Sequence, residues 1–303
     1  MKLKLFILAL LLATVNVSVA QNILIPAGKD GKTGYVDVNG KWVINPQFEN
    51  AECFSEDGFA RIRQNGKIGL IDKTGKIVVE PQFYSIEGFD KIFDDNGFAR
   101  FSVDTKPETQ KSDDWLKDNI NYDDNDDYLY GFIDKTGKIV IEAKYPFSCG
   151  FKNGLACVKL DGKYGFIDKT GKMVIEPKYD MVMPFENRKL SLVKVGDKCG
   201  FIDKSGKMVI EPQYDVSVIC HNNWSIITDS DKEGLLSADG EVLLKCQYDM
   251  LYPIPCSDVC LTSIKNKNGT STLGIFYNGK HTVVKNVDWI GMSAFDSLYF
   301  KTN

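Results

Sequence analysis

The chain has 303 residues, of which 43% are hydrophobic and 26% are charged, and its formal net charge is −4. This length is sufficient for one or two domains with a sizeable core. The acidic balance argues against nucleic acid and anionic membranes as partners, because both attract basic proteins.

Residues 1–20 are predicted to be a signal peptide. Lys2 and Lys4 precede an apolar run, and the small residues at 18–20 resemble a cleavage site. The run is short for a membrane span, so we expect cleavage and no membrane insertion afterwards. Removing the two lysines from the 37 basic residues leaves 35 against 41 acidic residues, a net charge of −6.

The eight cysteines all follow this segment. An exported chain enters an oxidising compartment, where disulfides can form, but their pairing cannot be read from the sequence. Cys256 and Cys260 are four residues apart and lack the ligand spacing of a zinc site. We expect most of the cysteines to be small apolar core residues.

A repeat of about 35 residues fills residues 21–303, which we treat as one repeat domain. A marker glycine recurs seven times, at Gly34, Gly69, Gly131, Gly165, Gly200, Gly234 and, weakly, Gly274. Such a period is typical of proteins built from stacked supersecondary units, with degenerate units at the ends.

Each unit is predicted to contain three strands, illustrated by residues 154–180. The strand at 154–160 leads through Asp161-Gly162, a dipeptide that favours a type I′ turn, into a strand at 164–168. The sequence 168–171, "DKTG", predicts an Asx-turn followed by a glycine with positive φ. The third strand is predicted to end at Pro177, because proline has no amide hydrogen to donate.

An aromatic residue follows the third strand in six units. We expect these residues to form a buried row, because a hairpin cannot bury its own apolar face. The alternative is an exposed platform on which sugar rings stack. The six positions are Phe48, Phe83, Tyr145, Tyr179, Tyr214 and Tyr248.

This pattern resembles the WG β-repeat family, whose units read approximately aromatic-Gly-aromatic-Ile-Asp-Lys-x-Gly-Lys-x-Val-Ile-x-Pro-x-Tyr. The resemblance covers about residues 30 to 285. It implies an exported or surface-associated bacterial protein that mediates interactions, because members of the family share no common catalytic activity. The tryptophan before the glycine is absent from every unit, which argues against a binding role tied to it. The positions are Thr33, Ile68, Tyr130, Tyr164, Cys199 and Glu233.

The predicted fold is therefore all-β, with tandem three-stranded hairpin repeats in an open solenoid-like array. A closed propeller-like ring is the alternative, but its blades usually need more residues than these units contain.

An acidic insertion at 104–128 interrupts the third unit. Nine acidic residues and three lysines give it a net charge of −6. Insertions in repeat arrays often form the binding face, so its residues are our candidate binding site. The candidates are Trp115, Asp123, Asp124, Asp126 and Asp127.

The insertion has two interpretations. A solvated loop is the simpler one. The more specific one is a calcium-binding loop, since Asp123, Asn125 and Asp127 match its first three ligand positions. However, Tyr128 occupies the position of the required glycine, and the final glutamate is missing. We therefore expect no metal site and no cofactor.

No catalytic motif appears in the sequence. The two histidines, His221 and His281, lie in divergent units and in no known motif. Residues repeated in every unit are better explained by architecture than by one active site. We therefore expect a non-enzymatic protein that binds a protein partner, for which a component of the cell envelope is the candidate. The alternatives are a glycan-binding module that uses exposed repeat aromatics, and a simple spacer.

Overall fold

We describe the protein from a computed structural model, which covers residues 23–88, 90–106, 127–186, 188–219, 224–254 and 257–284. The described chain is all-β, as predicted, and consists of antiparallel sheets of three or four strands, none of which closes into a barrel. Within the described ranges, no helix is long and apolar enough to cross a membrane.

The chain forms two compact units, residues 1–151 and 152–303. The first contains β1 (Ile25–Lys29), β2 (Lys32–Val36), β3 (Trp42–Phe48), β4 (Asn50–Ala51), β5 (Phe59–Gln64), β6 (Lys67–Asp72), β7 (Ile77–Phe83), β8 (Ser85–Ile86), β9 (Phe98–Asp104), β10 (Tyr128–Asp134), β11 (Ile139–Tyr145) and β12 (Phe147–Ser148). 

The second contains β13 (Leu155–Leu160), β14 (Lys163–Asp168), β15 (Met173–Tyr179), β16 (Met181–Val182), β17 (Leu190–Val195), β18 (Lys198–Asp203), β19 (Met208–Tyr214), β20 (Val216–Ile219), β21 (Ser225–Asp229), β22 (Lys232–Leu236), β23 (Val242–Tyr248), β24 (Met250–Pro253), β25 (Val259–Lys265), β26 (Ser271–Tyr277) and β27 (Lys280–Val284).

Six of the seven sheets have one strand more than predicted. The three predicted strands are present in each, and a strand of two to four residues precedes them. This extra strand begins two residues after the recurring aromatic residue, as β16 begins at Met181 after Tyr179. Its shortness hid it from sequence reasoning, because two residues show no alternation of apolar and polar positions.

The turns form as the sequence predicts. Asp161 and Gly162 both have positive φ, 50° and 76°, as a type I′ turn requires. In the "DKTG" turn, the amides of Thr170 and Lys172 donate to Asp168 Oδ1 at 2.8 and 3.1 Å. Gly171 has a φ of 83° and donates its amide hydrogen to the Asp168 carbonyl.

The prediction that the third strand ends at Pro177 is wrong. Strand β15 continues to Tyr179, and Tyr164 pairs with Tyr179 while Phe166 pairs with Ile175. Three residues on β15 thus face a single glycine on β14. Proline is tolerated because it sits in this bulge, on the outer strand of its sheet.

The same bulge explains the marker glycine. A Cβ added to Gly165 would lie 2.4 Å from the Ile175 carbonyl oxygen and 2.8 Å from the Pro177 nitrogen. Gly34, Gly69, Gly131 and Gly200 meet the backbone of their own bulges at 2.4 to 2.5 Å. The glycine of the repeat is therefore required by a close backbone approach, not by a reactive function.

The core consists of the alternating apolar residues of these sheets and the aromatic row. In the compact unit of residues 1–151, Ile44, Phe48 and Ile62 form one cluster. In the compact unit of residues 152–303, Leu235, Leu244 and Tyr248 form another. Five of the six row aromatics are at most 4% exposed, so the row is core: Phe48, Phe83, Tyr145, Tyr179 and Tyr248.

Candidate interaction site

The acidic insertion connects the two strands of a well-formed hairpin. Strands β9 and β10 pair in regular register from Phe98 and Asp134 to Asp104 and Tyr128. Just beyond this last pair, the backbone amide and the hydroxyl of Thr105 donate to the Asp127 carbonyl at 2.8 and 2.9 Å. The insertion is thus an addition at the hairpin end, and the strands below it are undistorted.

The ammonium group of Lys106 links the two ends of the insertion. Lys106 Nζ lies 3.2 Å from Asp127 Oδ2, and the Lys106 side chain is only 16% exposed. The same ammonium lies over the ring of Tyr128, 5.4 Å from its centroid. A cation held by a carboxylate and by a ring face fixes both ends of the inserted segment.

An aromatic pair supports the insertion base from the start of the same sheet. Tyr84 lies between β7 and β8, and its ring packs against the Tyr128 ring at 4.6 Å between centroids. Such tilted aromatic contacts contribute about 0.5–1.5 kcal/mol beyond the area they bury. Tyr84, Lys106, Asp127 and Tyr128 together define what we call the insertion base.

Other repeats place a carboxylate where the insertion base has Tyr84. The residue after the recurring aromatic is acidic in four repeats, and its carboxylate holds the turn of the next hairpin. Asp180 Oδ2 accepts from the Gly196 amide at 2.7 Å, and Asp180 Oδ1 lies 2.5 Å from Lys163 Nζ of the previous hairpin. We call the four residues the linker carboxylates: Glu49, Asp180, Asp215 and Asp249.

These hydrogen bonds stabilise the ionised linker carboxylates. The Lys163 side chain and then the Gly196 amide lower the pKa of Asp180. Lys198 does the same for the pKa of Asp215, and Lys232 for that of Asp249. The pKa of Glu49 is lowered by the amides of the next turn. The linker carboxylates are therefore structural. Two junctions lack one: Tyr84, before the hairpin that carries the insertion, and Pro146, one repeat later.

Only one of the five predicted binding residues lies among the described residues. It is Asp127, and the structure places it in the insertion base. Trp115, Asp123, Asp124 and Asp126 lie outside the described residues, as does Asn125 of the candidate calcium loop. The rest of that loop, from Tyr128 to Asp134, is strand β10. In the part of the chain that the structure describes, no three His, Cys, Asp or Glu residues are grouped so as to hold a metal ion.

Sequence reasoning missed Tyr84, Lys106 and the linker carboxylates. A signal for the linker carboxylates was present, since an acidic residue follows the aromatic in four of the six units. Tyr84 breaks that pattern at the repeat that carries the insertion, and Pro146 breaks it one repeat later. Lys106 gave no signal, because one lysine in an acidic segment has the composition of an ordinary solvated loop.

The described histidine, His281, has a packing role. The last sheet has no bulge between β26 and β27, so the backbone that covers the other marker glycines is absent there. A Cβ on Gly274 would instead meet His281 Nε2 at 2.5 Å and Thr262 Oγ1 at 2.6 Å. These two atoms are hydrogen-bonded at 2.8 Å. His281 fills the space above the glycine, while His221 lies outside the described residues.

The cysteines divide into two groups. Cys149 and Cys157 are disulfide-bonded. Cys53 and Cys246 are free thiols, and Cys199 and Cys260 are buried, as expected of small core residues. Cys220 and Cys256 lie outside the described residues.

These features define a class of protein: a tandem β-repeat protein whose repeated residues are architectural. The particular family follows from a match to the "WG containing repeat" family model at residues 34–67, 68–106, 130–164, 164–199 and 200–216. Because the matches cover more than half of the chain, the protein belongs to this family, as its sequence pattern predicts. No curated protein matches the chain.

Several solved structures are similar over most of the chain, at low identity. A eukaryotic initiation factor is 12% identical, with 88% of this chain and 86% of that one covered and a TM-score of 0.36. Hsv2p of Kluyveromyces lactis is 10% identical, with 86% and 94% covered and a TM-score of 0.36. The Pyrococcus horikoshii acylaminoacyl peptidase is 16% identical, with 92% and 51% covered and a TM-score of 0.35. At these TM-scores the likenesses define neither the fold nor the function of this chain.

Proposed function

We propose that this protein is an exported, non-enzymatic interaction protein that binds a cell-envelope protein through its acidic insertion. One observation carries the proposal. The residues that recur in the repeats have structural duties, whereas the insertion is mounted on a regular hairpin whose strands do not need it. Function is then expected where the repetition breaks.

The negative charge of the insertion indicates that the partner presents a basic surface. Residues 104–128 have a net charge of −6. A basic surface on the partner would accelerate association and make the complex sensitive to salt. The insertion base keeps the two ends of the segment together, which lowers the entropy lost when the segment binds.

Export is supported by two observations. The sequence starts with a segment typical of signal peptides, and two described cysteines are disulfide-bonded. Disulfides persist in oxidising compartments and are rare in the cytosol. Cell fractionation of a tagged full-length chain is expected to place it in the periplasm, on the surface or in the medium. Retention of the intact, reduced chain in the cytosol would refute this part of the proposal.

The repeat aromatics do not favour glycan binding. The alternative relied on an exposed row, and five of its six residues are buried. Stacking on a sugar ring requires an open aromatic face, so these five residues are not available for it.

Crosslinking in isolated cell envelopes tests the proposal. Wild type is compared with a variant in which Asp113, Asp114, Asp123, Asp124 and Asp126 are replaced by asparagine. The variant keeps the length of the segment and the Lys106–Asp127 pair. A discrete crosslinked partner is expected for wild type at low salt, with loss of most of it in the variant and at 0.5 M salt. Identical crosslinking by both proteins would refute the proposal.

A further inference from the structure

Among the described sheets, only the first has three strands instead of four. In the others a short strand pairs with the outer side of the strand that begins the hairpin, as β4 pairs with β5 and β16 with β17. The first hairpin begins with β1, and no strand of the described chain pairs with the outer side of β1. This edge therefore presents backbone groups with which a further strand can pair.

The turn that follows β1 lacks a carboxylate that the next sheet has. There, Glu49 Oε1 and Oε2 accept from the amides of Asn65 and Gly66 at 2.9 and 3.1 Å. The turn after β1, Asp30-Gly31, has the same backbone conformation, with φ values of 52° and 73° against 51° and 69°. In the part of the chain that the structure describes, no side chain accepts from the amides of this turn. We call the outer edge of β1 and this turn the head site.

The outer edge of β1 offers the backbone groups that a short strand needs. In the second sheet, the segment that includes β4 donates two backbone amides to the carbonyls of Arg63 and Arg61, at 3.0 and 2.9 Å. Counted from the turn, Gly28 corresponds to Arg63 and Pro26 to Arg61. Proline has no amide hydrogen, but the bond at this position uses the carbonyl. Pro26 is therefore compatible with an added strand.

The sequence after β27 contains a further copy of the segment that supplies the short strands. That segment reads aromatic, acidic, any residue, apolar, as in "FENA" at 48–51, "YDMV" at 179–182 and "YDML" at 248–251. Residues 295–298 read "FDSL" and lie outside the described residues. The last described sheet already has its short strand, β24, so it does not need this copy. We call residues 295–298 the tail motif.

A second contact between consecutive repeats is also missing at the first sheet. A Cβ on Gly75 would lie 3.2 Å from the Ile44 side chain, and one on Gly206 would lie 3.2 Å from that of Ile175. Turns of the "DKTG" type thus pack on the outer strand of the preceding sheet. The corresponding glycine of the first sheet, Gly40, has no described atom within 4 Å of its Cβ position. The first sheet therefore lacks both contacts that a preceding repeat provides.

We propose that the tail motif of one copy of this protein docks on the head site of a second copy. The motif adds a short strand to the outer edge of β1, and the Asp296 carboxylate accepts from the amides of the Asp30-Gly31 turn, as Glu49 does within the chain. Head and tail stand at opposite ends of the order of repeats, and in an open array they are unlike and complementary. The contact is therefore heterologous and joins copies head to tail. It is independent of the proposed role of the acidic insertion.

Sedimentation velocity of the full mature chain tests the proposal, from about 1 to about 100 μM, a range in which complexes held by a few contacts dissociate. We expect the average mass to rise with concentration. The tail variant, Phe295→Ala with Asp296→Asn, is expected to weaken association by at least about tenfold, because it loses an aromatic anchor and a charge-assisted contact. Its matched control, Asp288→Asn with Trp289→Ala, removes the same kinds of side chain outside the motif and should associate as wild type does.

Gly28 offers a test in two directions. Its counterparts in other sheets are basic, and the charges of Arg63 and Lys194 attract the linker carboxylate of the preceding junction. A side chain at Gly28 has room, because its Cβ would meet only the Lys32 carbonyl oxygen, at 3.9 Å. Gly28→Arg is therefore expected to strengthen association by about threefold and Gly28→Asp to weaken it by about threefold, as for exposed charge pairs.

Mixing two variants distinguishes head-to-tail docking from other association. The tail variant keeps its head site and Gly28→Asp keeps its tail motif, so their mixture should form dimers more strongly than either variant alone. Association that the tail variant leaves unchanged would overturn the proposal. So would a wild type that is monomeric at every concentration; a lower melting temperature of the tail variant would then assign the motif to its own chain. A variant without residues 107–126 should associate normally, so failure of this contact and failure of the proposed function are separable.

Discussion

Two hairpins of the same design differ only at their ends. In β13–β14 the strands pair from Leu155 and Asp168 to Leu160 and Lys163, and Asp161-Gly162 closes the turn. In β9–β10 the same register runs from Phe98 and Asp134 and gains one more pair before the acidic insertion begins. The comparison teaches that the repeat specifies the strands and their bulge, while the hairpin end is free to vary.

The largest expected effect lies in the part that the two hairpins share. Gly165→Ala and Gly131→Ala place a Cβ 2.4 and 2.5 Å from a carbonyl oxygen of the paired strand, which cannot move without breaking the bulge. Each is expected to lower the free energy of unfolding by about 3 kcal/mol, the upper range for overpacking. Urea denaturation measures this loss.

The control for both variants is Gly150→Ala, because an added Cβ there meets no atom within 4 Å. Its free energy of unfolding should stay within about 0.5 kcal/mol of wild type, as for an ordinary surface change. Equal stability of Gly165→Ala and Gly150→Ala would show that the bulge does not impose the glycine.

A smaller effect is expected at the insertion base, where the two hairpins begin to differ. Tyr84→Ala removes the ring that packs on Tyr128 at 4.6 Å. We expect a loss of about 1–2 kcal/mol in unfolding free energy, from the aromatic contact and the buried area. Tyr277→Ala, which removes a ring that is 51% exposed, is the control and should cost less. Equal losses of unfolding free energy in the two variants would show that the contact between Tyr84 and Tyr128 does not stabilise the insertion base.

The linker carboxylates predict a pH dependence. Their pKa values are lowered in the folded protein, so their contribution to stability is present above the ordinary aspartate pKa of about 3.9 and is lost as pH falls through the folded values. The double variant Asp180→Asn, Asp215→Asn is therefore expected to be less stable than wild type at pH 7.

The difference should shrink progressively as pH falls below about 3.9, because protonation removes the same interactions from wild type. Thermal melts between pH 2 and 7 measure it, with Glu176→Gln, an exposed acidic residue of β15, as the control. A stability difference that is the same at every pH would contradict the assignment.

The sequence predicted the regular parts of this molecule because they depend on local chemistry. Asp161-Gly162 and the Asp168 turn follow from residues within five positions of each other. The continuation of β15 through Pro177 was missed, because a bulge is a property of two paired strands. The two-residue strands were missed because they have no measurable period.

The candidate site was predictable only in outline. Charge and position marked the insertion, but the role of Tyr84 depends on a contact with Tyr128, 44 positions later in the sequence. The hydrogen bond from Lys204 to the Asn153 carbonyl likewise joins residues 51 positions apart in the sequence. Neither contact produces a local pattern.

The smallest expected effect on stability accompanies the largest expected effect on function. We replace residues 105–127 by Asn-Gly, the dipeptide that closes β5–β6 at Asn65-Gly66. This gives β9–β10 the short turn of an ordinary repeat. We then measure the melting temperature and envelope crosslinking on the same preparation. The account predicts a melting temperature within a few degrees of wild type and loss of the crosslinked partner. A folded variant that still captures the partner would contradict the claim that function resides where the repetition breaks.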